Sequence, residues 1–426
     1  MHDIKYIKKN PSIFDLSLKK RNFEPCSKEI IEVHDKYLNY LNEKQNFLEK
    51  KNSLSKLFSK QTEDQDKIKE QVHNLKIKID ELNKLSEQKL DEFNKIMLEL
   101  PNIISEKVPD GNSQEDNNVI KEVGNIKKFN FQPKNHLELA ENLNLLDYDQ
   151  AVKISSSRFS VIKGDLTKLH RGLINFLLDH NSLKFNYKEC IVPELANYKS
   201  LEGTGQLPKF EEDLFKTNFN DLYLIPTSEV PLTNLHRDSI INKKDLPIRY
   251  TAFTNCFRAE AGASGKDTKG LMREHQFGKV ELVVVSEPHE SENELIHMTT
   301  CVEKILQDLS LPYRMVELCS GDIGFSSSYT IDFEIWMPGQ NTFREVSSCS
   351  NCKDFQSRRM KMRIKNFDSG EIYFPHTLNG SSLAIGRLLI AIIENYQKED
   401  GRIEIPPVLH KYTNGLNIIS NDDKKI

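Results

Sequence analysis

A long stretch without glycine or proline constrains the fold of this chain most. Between Lys28 and Leu100 neither residue occurs, and Lys, Glu, Gln, Asn and Leu dominate. Apolar residues recur in its second half at steps of four and three, which is the period of one helix face. They are Ile68, Val72, Leu75, Ile79 and Leu82, continued after Leu85 by Leu90, Phe93, Ile96 and Leu100. The stretch is therefore predicted to be helical with an apolar seam.

The seam lapses among polar residues near 59–66, which predicts a break into two helices at about 28–60 and 67–98. Two helices of this length, folded back on one another, form an antiparallel coiled coil of ~45 Å, since each residue adds ~1.5 Å. The alternative is one unbroken helix that pairs with a second copy in a parallel dimer.

Lysines are concentrated at the end of the arm where the two helices meet. Residues 44–60 contain Glu49 as their one acid and five lysines, Lys44, Lys50, Lys51, Lys56 and Lys60. The net charge of −4 gives no general attraction to nucleic acid. A local lysine patch is either an ordinary solvated face or a clamp for an RNA backbone.

Punctuation by Pro, Gly, Asn and Asp divides the chain. We expect an N-terminal domain at 1–105, a linker at 106–127 and a second domain at 128–426, where short strand patterns alternate with helices. Val280–Val285 and Tyr329–Trp336 are predicted strands, and Leu166–Asn181 is a predicted amphipathic helix. The overall prediction is an α+β protein.

Neither membrane insertion nor export is expected from the sequence. The apolar runs are far shorter than the ~20 residues of a membrane-spanning helix, and the N-terminus lacks a signal core. Seven scattered cysteines fit reduced thiols and a cytoplasmic location. Cys349 and Cys352 form a C-x-x-C pair without a second ligand pair, so a buried pair on a strand is the alternative to zinc.

Chemistry is concentrated in Phe257–Glu260 and in the alternating series Arg273, His275, Phe277, Lys279 and Glu281. A strand would present all five of the series on one face, where their charges would be costly to bury unless a ligand paired with them. Arg258 and Arg273 suit a triphosphate because guanidinium groups bind phosphate in a bidentate manner. Phe277 suits a purine, and Glu260 an exocyclic amine. A mixed-charge surface strand is the alternative.

These strings resemble the second signature motif of class II aminoacyl-tRNA synthetases, and within that class the seryl-tRNA synthetase family. Phe185–Pro193 resembles the first motif, in which the proline lies at a dimer interface, and Gly380–Arg387 resembles the third. Family-specific strings are more discriminating than these loose class motifs. They are Gly203–Phe210, Thr227-Ser228-Glu229, Glu345–Cys352 and Phe355–Arg359. The N-terminal arm is similar to the family's tRNA-binding coiled coil, so the resemblance covers nearly the whole chain.

The resemblance implies a catalytic domain built on a mainly antiparallel sheet and a homodimer. It implies activation of L-serine by ATP, followed by transfer to tRNA(Ser) and also to tRNA(Sec) where that tRNA exists. Arg258, Arg387 and Glu345 are the implied catalytic residues. Serine binding is implied for Thr227, Ser228, Glu229, Glu281 and Ser381, and ATP binding for Arg258, Ala259, Glu260, Phe277, Glu345, Val346, Ser347, Ser348 and Arg387. Glu345 and Ser348 are the implied Mg²⁺ ligands, which suits a cation that prefers hard oxygen donors.

Plainer interpretations of some residues stay open. Arg387 interrupts an apolar run and could extend to solvent, Ser381 could cap the helix that follows, and Thr227 and Glu229 could belong to an ordinary loop. Met272 and Glu274 stand where the family pattern has smaller or apolar residues, and Gly278 stands where an acid is usual. A glycine there loosens a strand beside the nucleotide, which puts the adenine contacts in doubt.

Two other functions remain as alternatives. A ligase that loads an amino acid onto a carrier protein would keep the catalytic domain, although such relatives lack the long arm. A non-catalytic coiled-coil RNA-binding protein, or a degenerate paralogue, would not need Glu345, Arg258 and Arg387 together, and all three are present.

Overall fold

The computed structural model describes residues 1–58, 65–262 and 269–420. The chain divides into two compact units, Met1–Pro101 and Asn102–Ile426. No helix in the described ranges combines the length and the apolar character that a bilayer crossing requires.

The α-helices are α1 (Ile4–Lys9), α2 (Pro11–Lys20), α3 (Ser27–Phe58), α4 (Gln65–Glu99), α5 (His136–Asn142), α6 (Tyr148–Ile154), α7 (Asp165–Phe185), α8 (Tyr198–Thr204), α9 (Glu229–Asn234), α10 (Ser291–Asp308), α11 (Phe355–Arg359) and α12 (Ile385–Asn395). The strands are β1 (Asn118–Val123), β2 (Leu146–Asp147), β3 (Val161–Ile162), β4 (Lys188–Glu189), β5 (Leu195–Ala196), β6 (Tyr223–Leu224), β7 (Ile240–Asn242), β8 (Ile248–Phe257), β9 (Gln276–Ser286), β10 (Tyr313–Glu317), β11 (Tyr329–Met337), β12 (Thr342–Lys353), β13 (Arg363–Lys365), β14 (Ile372–Tyr373), β15 (His376–Ala384), β16 (Ile403–Glu404) and β17 (Ile418–Ile419).

The long helices α3 and α4 pack against each other in antiparallel order, which confirms the two-helix prediction. The rings of His34 and Phe93 lie 5.2 Å apart, and further along α3 the Lys44 ammonium donates to Asn83 Oδ1 at 2.5 Å. As the residue number of a contact rises along α3, that of its partner falls along α4, which is the pattern of antiparallel helices. The apolar seams cover each other within one chain, which removes the reason for the parallel-dimer alternative.

The observed seam of α4 differs from the predicted one in its middle. Leu85 is 40 % exposed, whereas Ser86 is buried. Met97, which the pattern did not include, is fully buried between Phe93 and Leu100. A helix turns every 3.6 residues, so a buried face that passes through Leu82 reaches position 86 before it reaches Phe93. The helical period therefore places position 86, and not position 85, on the buried face of α4.

The second unit is built around a sheet of eight strands in the described residues, in the order β1-β10-β11-β12-β15-β9-β8-β4. All neighbours are antiparallel except the pair β4 and β8. Helices α7, α10 and α12 pack against this sheet and share its main hydrophobic core. The predicted strands at 280–285 and 329–336 are confirmed as parts of β9 and β11.

One strand lies inside the segment that was predicted as a linker. Residues Asn118–Val123 pair with β10 and form the edge of the large sheet. Their side chains are mostly exposed, so the sequence carries no buried alternation there to predict a strand. Backbone pairing with an existing edge is what makes this segment extended.

Candidate active site

Strand β9 is the centre of the site because its two neighbours, β8 and β15, place their residues beside it. Glu281 lies opposite Ala252 of β8 and Ser381 of β15. Phe277, Lys279 and Glu281 share one face of β9, as predicted. Arg273 and His275 precede the strand, so the prediction of five residues on one face was too long by two.

A cavity of about 460 Å³ lies over this face. The first part of its lining consists of Thr227, Glu229, Glu281 and Ser381. The rest of the lining includes Arg258, Glu260, Glu345 and Ser348. Lys279 joins the groups of the first part, because its ammonium donates to Thr227 Oγ1 at 2.9 Å and lies 2.6 Å from Glu281 Oε2. Lys279 belongs to the predicted alternating series, which put it on the correct face, but it was not assigned a binding role.

Glu229 is one of two buried acids in this group, the other being Glu281. Glu229 Oε1 accepts from Gln356 Nε2 at 2.6 Å and from Asn379 Nδ2 at 3.1 Å. Burial, followed by the nearby charge of Glu281, raises the pKa of Glu229 to about 7. The carboxyl therefore titrates near neutral pH, which is a property of groups that handle a charged ligand.

A backbone irregularity at the end of β15 brings Ser381 and Arg387 to the site. The register between β15 and β9 shifts between Ser381 and Ala384, and Leu383 adopts a left-handed φ of 84°. Such a conformation in a bulky residue costs of order 1–3 kcal/mol and is tolerated where surrounding structure imposes it. The shift turns the strand into α12 beside a second, smaller cavity of about 60 Å³, which is lined by both Ser381 and Arg387.

The arginine-rich part of the site surrounds Phe277. The Arg258 guanidinium lies 5.3 Å from the centre of the Phe277 ring and donates to Pro226 O at 3.3 Å. Glu260 accepts from Arg273 Nη1 at 2.7 Å, so this acid is paired rather than open. His275 does not line the cavity; its Nδ1 contacts Arg258 O at 2.9 Å and its ring packs on Phe159 and Phe215. It braces the Arg258 backbone.

Arg387 turns into the cavity and does not extend to open solvent. Its Nη1 donates to Glu345 O at 3.0 Å and lies 3.1 Å from Glu345 Oε1. Its Nε donates to Met272 O at 3.3 Å. A neighbouring cavity of about 530 Å³ continues from this point and is lined by Arg273, Arg344 and Arg387, among others. Arg344 adjoins Glu345 in sequence but was missed, because charge alone does not reveal which face of β12 a residue occupies.

Asp332 lies beside the two predicted metal ligands. It is the register partner of Ser348 across β11 and β12. Burial, followed by the charge of Glu345, raises its pKa well above the ordinary value. Within the described residues its Oδ1 is buried without a hydrogen-bond partner. Two acids and a hydroxyl with one unsatisfied oxygen form a set that fits a hard divalent cation. Asp332 was absent from the predicted set because it lies on a different strand.

Three predicted residues do not present side chains to the cavity. Ser228 is fully buried and its hydroxyl bonds to Thr254 Oγ1 at 2.6 Å. Ser347 donates to Ser381 O at 2.5 Å, and Ala259 holds its place through its backbone N–H, which donates to Asp213 O at 2.9 Å. Val346, by contrast, lines the cavity beside Arg387. Because consecutive strand residues face opposite sides, a contiguous string overestimates a site.

The glycine at 278 has a packing explanation. A Cβ added there would meet Phe253 Cε2 at 2.8 Å and Cζ at 3.2 Å. Phe253 of β8 thus occupies the space that a side chain at 278 would need.

The C-x-x-C pair is a buried pair on a strand, since Cys349 and Cys352 both lie buried in β12. All seven cysteines are free.

Of the predicted arm lysines, Lys44, Lys50, Lys51 and Lys56 lie on α3. Lys60 lies outside the described residues. Lys50 is exposed, and its ammonium lies 5.7 Å from the centre of the Phe47 ring. Lys44 is half-buried against Asn83.

Two family models match this chain. Residues 1–104 match the seryl-tRNA synthetase N-terminal domain, and residues 209–396 match the tRNA synthetase class II core domain (G, H, P, S and T). A serine–tRNA ligase of Ehrlichia ruminantium (strain Welgevonden) is 46 % identical over 99 % of this chain and 100 % of its own length.

Solved structures give the same answer. A seryl-tRNA synthetase from Pyrococcus horikoshii, complexed with ATP, superposes with a TM-score of 0.92 at 35 % identity, covering 98 % of this chain and 99 % of that chain. A cytoplasmic serine–tRNA ligase from Naegleria fowleri, in complex with AMP, superposes with a TM-score of 0.87 at 28 % identity, covering 98 % of both chains. The chain therefore belongs to the seryl-tRNA synthetase family.

Proposed function

We propose that the chain is a serine–tRNA ligase that activates L-serine with ATP and transfers the seryl group to the 3′ end of tRNA(Ser). One observation carries this proposal. The acidic, hydroxyl-lined pocket around Glu229 and the arginine-lined pocket around Arg387 adjoin each other, because Lys279, Glu345 and Ser381 line both. An amino acid and a nucleotide triphosphate can therefore meet there. The name of the Ehrlichia relative and the ATP bound in the Pyrococcus relative support the same activity.

The acidic pocket suits serine in both its charge and its hydrogen bonding. Glu229 and Glu281 attract the ammonium group, and Thr227 and Ser381 provide hydroxyl partners. Lys279 holds Glu281 and Thr227 in place. A buried site that hydrogen-bonds a substrate hydroxyl strongly rejects alanine, which would leave its polar groups unpaired. Threonine must be excluded by one extra methyl, which is the weaker discrimination.

ATP occupies the other part of the site in this proposal. Phe277 packs against adenine, and Glu260 accepts from the adenine amine once Arg273 turns to the phosphates. Arg258 and Arg387 bind the phosphates, and Arg273 and Arg344 extend the positive wall along the neighbouring cavity. Guanidinium groups are suited to this task because they bind phosphate oxygens in pairs and stay charged.

Mg²⁺ fits between the two parts. Glu345 and Ser348 would hold it, with Asp332 and its unpaired oxygen next to them. When bound, the cation neutralises phosphate charge and polarises the phosphorus–oxygen bonds.

Little covalent chemistry is asked of the protein itself. The serine carboxylate attacks the α-phosphorus, and pyrophosphate leaves. A ribose hydroxyl of the tRNA then attacks the carbonyl carbon of the seryl-adenylate, so that the ester bond forms while the hydroxyl proton is lost and AMP leaves. The chain's residues align the carboxylate with the phosphate and stabilise the developing charge. Positioning and electrostatic stabilisation are the two largest contributions such a site can make.

The arm of α3 and α4 is the proposed tRNA-binding element. Its exposed lysines suit a phosphate backbone, whose contacts release counterions. tRNA(Sec) is a second proposed substrate where that tRNA exists, because the arm and the catalytic site would be used in the same way.

A homodimer and a cytoplasmic location complete the proposal. Ile191, in the segment that resembles the dimer motif of the class, is 98 % exposed, and Leu183, near the end of α7 just before that segment, is 80 % exposed. Apolar side chains this exposed, side by side with the short edge strand β4, suit cover by a second copy. Sedimentation at low concentration tests the dimer, and cell fractionation tests the location.

Charging of a tRNA(Ser) transcript with labelled serine tests the function directly. The proposal predicts ATP-dependent formation of seryl-tRNA. Transfer to a carrier protein with no transfer to tRNA would favour the carrier-protein alternative, which the presence of the arm argues against. Binding of tRNA without ATP-dependent charging would favour a non-catalytic RNA-binding protein.

A further inference from the structure

Gln356 is a fully buried amide that connects three segments around the amino-acid pocket. It lies on the short helix α11 and is 0 % exposed. Its Nε2 donates to Glu229 Oε1 at 2.6 Å and to Thr204 O at 3.1 Å. Its Oε1 accepts from Thr377 Oγ1 at 2.7 Å. The amide orientation follows from this chemistry, since both acceptors, a carboxylate and a carbonyl, lie on the nitrogen side.

The two oxygens of Glu229 are used differently. Both Gln356 and Asn379 donate to Oε1. No hydrogen bond from a described residue reaches Oε2, and Glu229 lines the cavity. One carboxylate oxygen is therefore fixed by the protein, which leaves the other for a ligand.

Several charged or titratable groups act on Glu229. Glu281 opposes its ionisation, and Lys279 and Arg258 favour it, as does the hydrogen bond from Gln356. The Cys352 thiol is also near, and the charge of Glu229 raises its pKa. Among these influences burial is the largest, and it raises the pKa of Glu229 to about 7. The Gln356 bond thus favours the charged form at a pH where the balance is close.

We propose that Gln356 is a positioning residue for amino-acid recognition, which fixes Oε1 of Glu229 so that Oε2 faces the cavity and receives the substrate's ammonium group. It touches no substrate itself, and Thr377 in turn orients it. This inference rests on the proposed serine activation. It also gives a physical reason why the strings at 203–210, 227–229 and 355–359 occur together, because Gln356 bonds to the first two.

The test compares the variants Gln356→Met and Thr377→Val with the intact chain in serine-dependent pyrophosphate exchange between pH 6.5 and 8.5. Methionine keeps the length of the side chain and removes the amide. We expect Gln356→Met to raise the KM for serine about tenfold at pH 7, with a smaller change in the KM for ATP. We expect its pH profile to move up by about one unit, so that serine binding recovers towards pH 8.5. Thr377→Val should shift both in the same direction by less.

The control is Gln150→Met, the same exchange at an exposed position, which should leave serine kinetics unchanged. The proposal is overturned if folded Gln356→Met keeps the wild-type serine KM and pH profile, or if both KM values rise equally without pH dependence. If Gln356→Met does not fold, an unchanged profile in Thr377→Val overturns it. An intact chain with no serine-dependent exchange would instead refute the proposed function.

Discussion

Arg387 of α12 and Glu345 of β12 form an ion pair, with Arg387 Nη1 3.1 Å from Glu345 Oε1. The same nitrogen donates to the backbone oxygen of Glu345 at 3.0 Å. In the proposed function the two residues bind different ligands, since Arg387 binds phosphate and Glu345 binds the cation. The pair keeps two charges compensated until the substrates supply their own.

Replacing Arg387 should therefore affect ATP more than serine. Arg387→Ala removes a charge-assisted phosphate contact worth about 2–4 kcal/mol in the transition state, so kcat/KM for ATP should fall by about 30- to 900-fold. Arg387→Lys should recover only part, because a lysine lacks the bidentate geometry. Pyrophosphate exchange at varied ATP measures the effect. The exposed Arg402→Ala is the matched control, and an equal loss in both arginine-to-alanine variants would contradict the assignment.

The arm lysines are predicted to act on tRNA and not on adenylate formation. Changing Lys50, Lys51 and Lys56 together to Gln should lower kcat/KM for tRNA and reduce the salt dependence of tRNA binding by a slope of about 2–3, because each phosphate contact contributes about 0.9. Pyrophosphate exchange should stay at the wild-type rate. Unchanged tRNA kinetics and salt slope would refute the clamp.

Gly278 is predicted to be required by Phe253. The alanine Cβ of Gly278→Ala would lie 2.8 Å from Phe253 Cε2, and overpacking of this kind costs about 1–3 kcal/mol. Urea unfolding measures the loss. Adding Phe253→Leu should restore part of it. Gly262→Ala should be nearly neutral, because among the described residues only its chain neighbours come within 4 Å of an added Cβ. The absence of any rescue by Phe253→Leu would show that another contact is responsible.

Glu274 is predicted to reduce stability at higher pH. Burial raises its folded-state pKa to about 7, above the unfolded value of 4.5, despite the bond from Ser160. An acid with a raised pKa binds more protons when folded, so stability falls as pH rises between these two values. The cost is about 3 kcal/mol at pH 8 and about 1 kcal/mol at pH 5. Glu274→Gln should therefore be stabilising by about 2 kcal/mol more at pH 8 than at pH 5, as measured by urea unfolding. A gain that is equal at both pH values would contradict the titration.

The sequence pattern predicted those helices and strands whose own residues, rather than contacts with distant segments, determine their secondary structure. The arm followed from helical periodicity, and β9 and β11 followed from their apolar and alternating residues. The edge strand β1 was not predictable because its pairing, not its side chains, makes it extended. Ser86 rather than Leu85 lies in the helix seam because the helical period, and not the size of the side chain, decides which position faces the partner helix.

Family strings located the site but not the direction of every side chain. Thr227 and Glu229 face the cavity whereas Ser228, between them, bonds to Thr254. Asp332 and Gln356 become recognisable only when β11 and α11 are assembled around the same space. Their roles depend on contacts between distant segments, which one sequence does not reveal.

Pyrophosphate exchange with each amino acid in turn tests the central claim most directly. The account predicts that L-serine stimulates ATP–pyrophosphate exchange most strongly. It predicts that alanine is rejected more strongly than threonine, because alanine leaves the buried hydroxyl partners unpaired. Stronger exchange with any other amino acid, or none with serine, would contradict it.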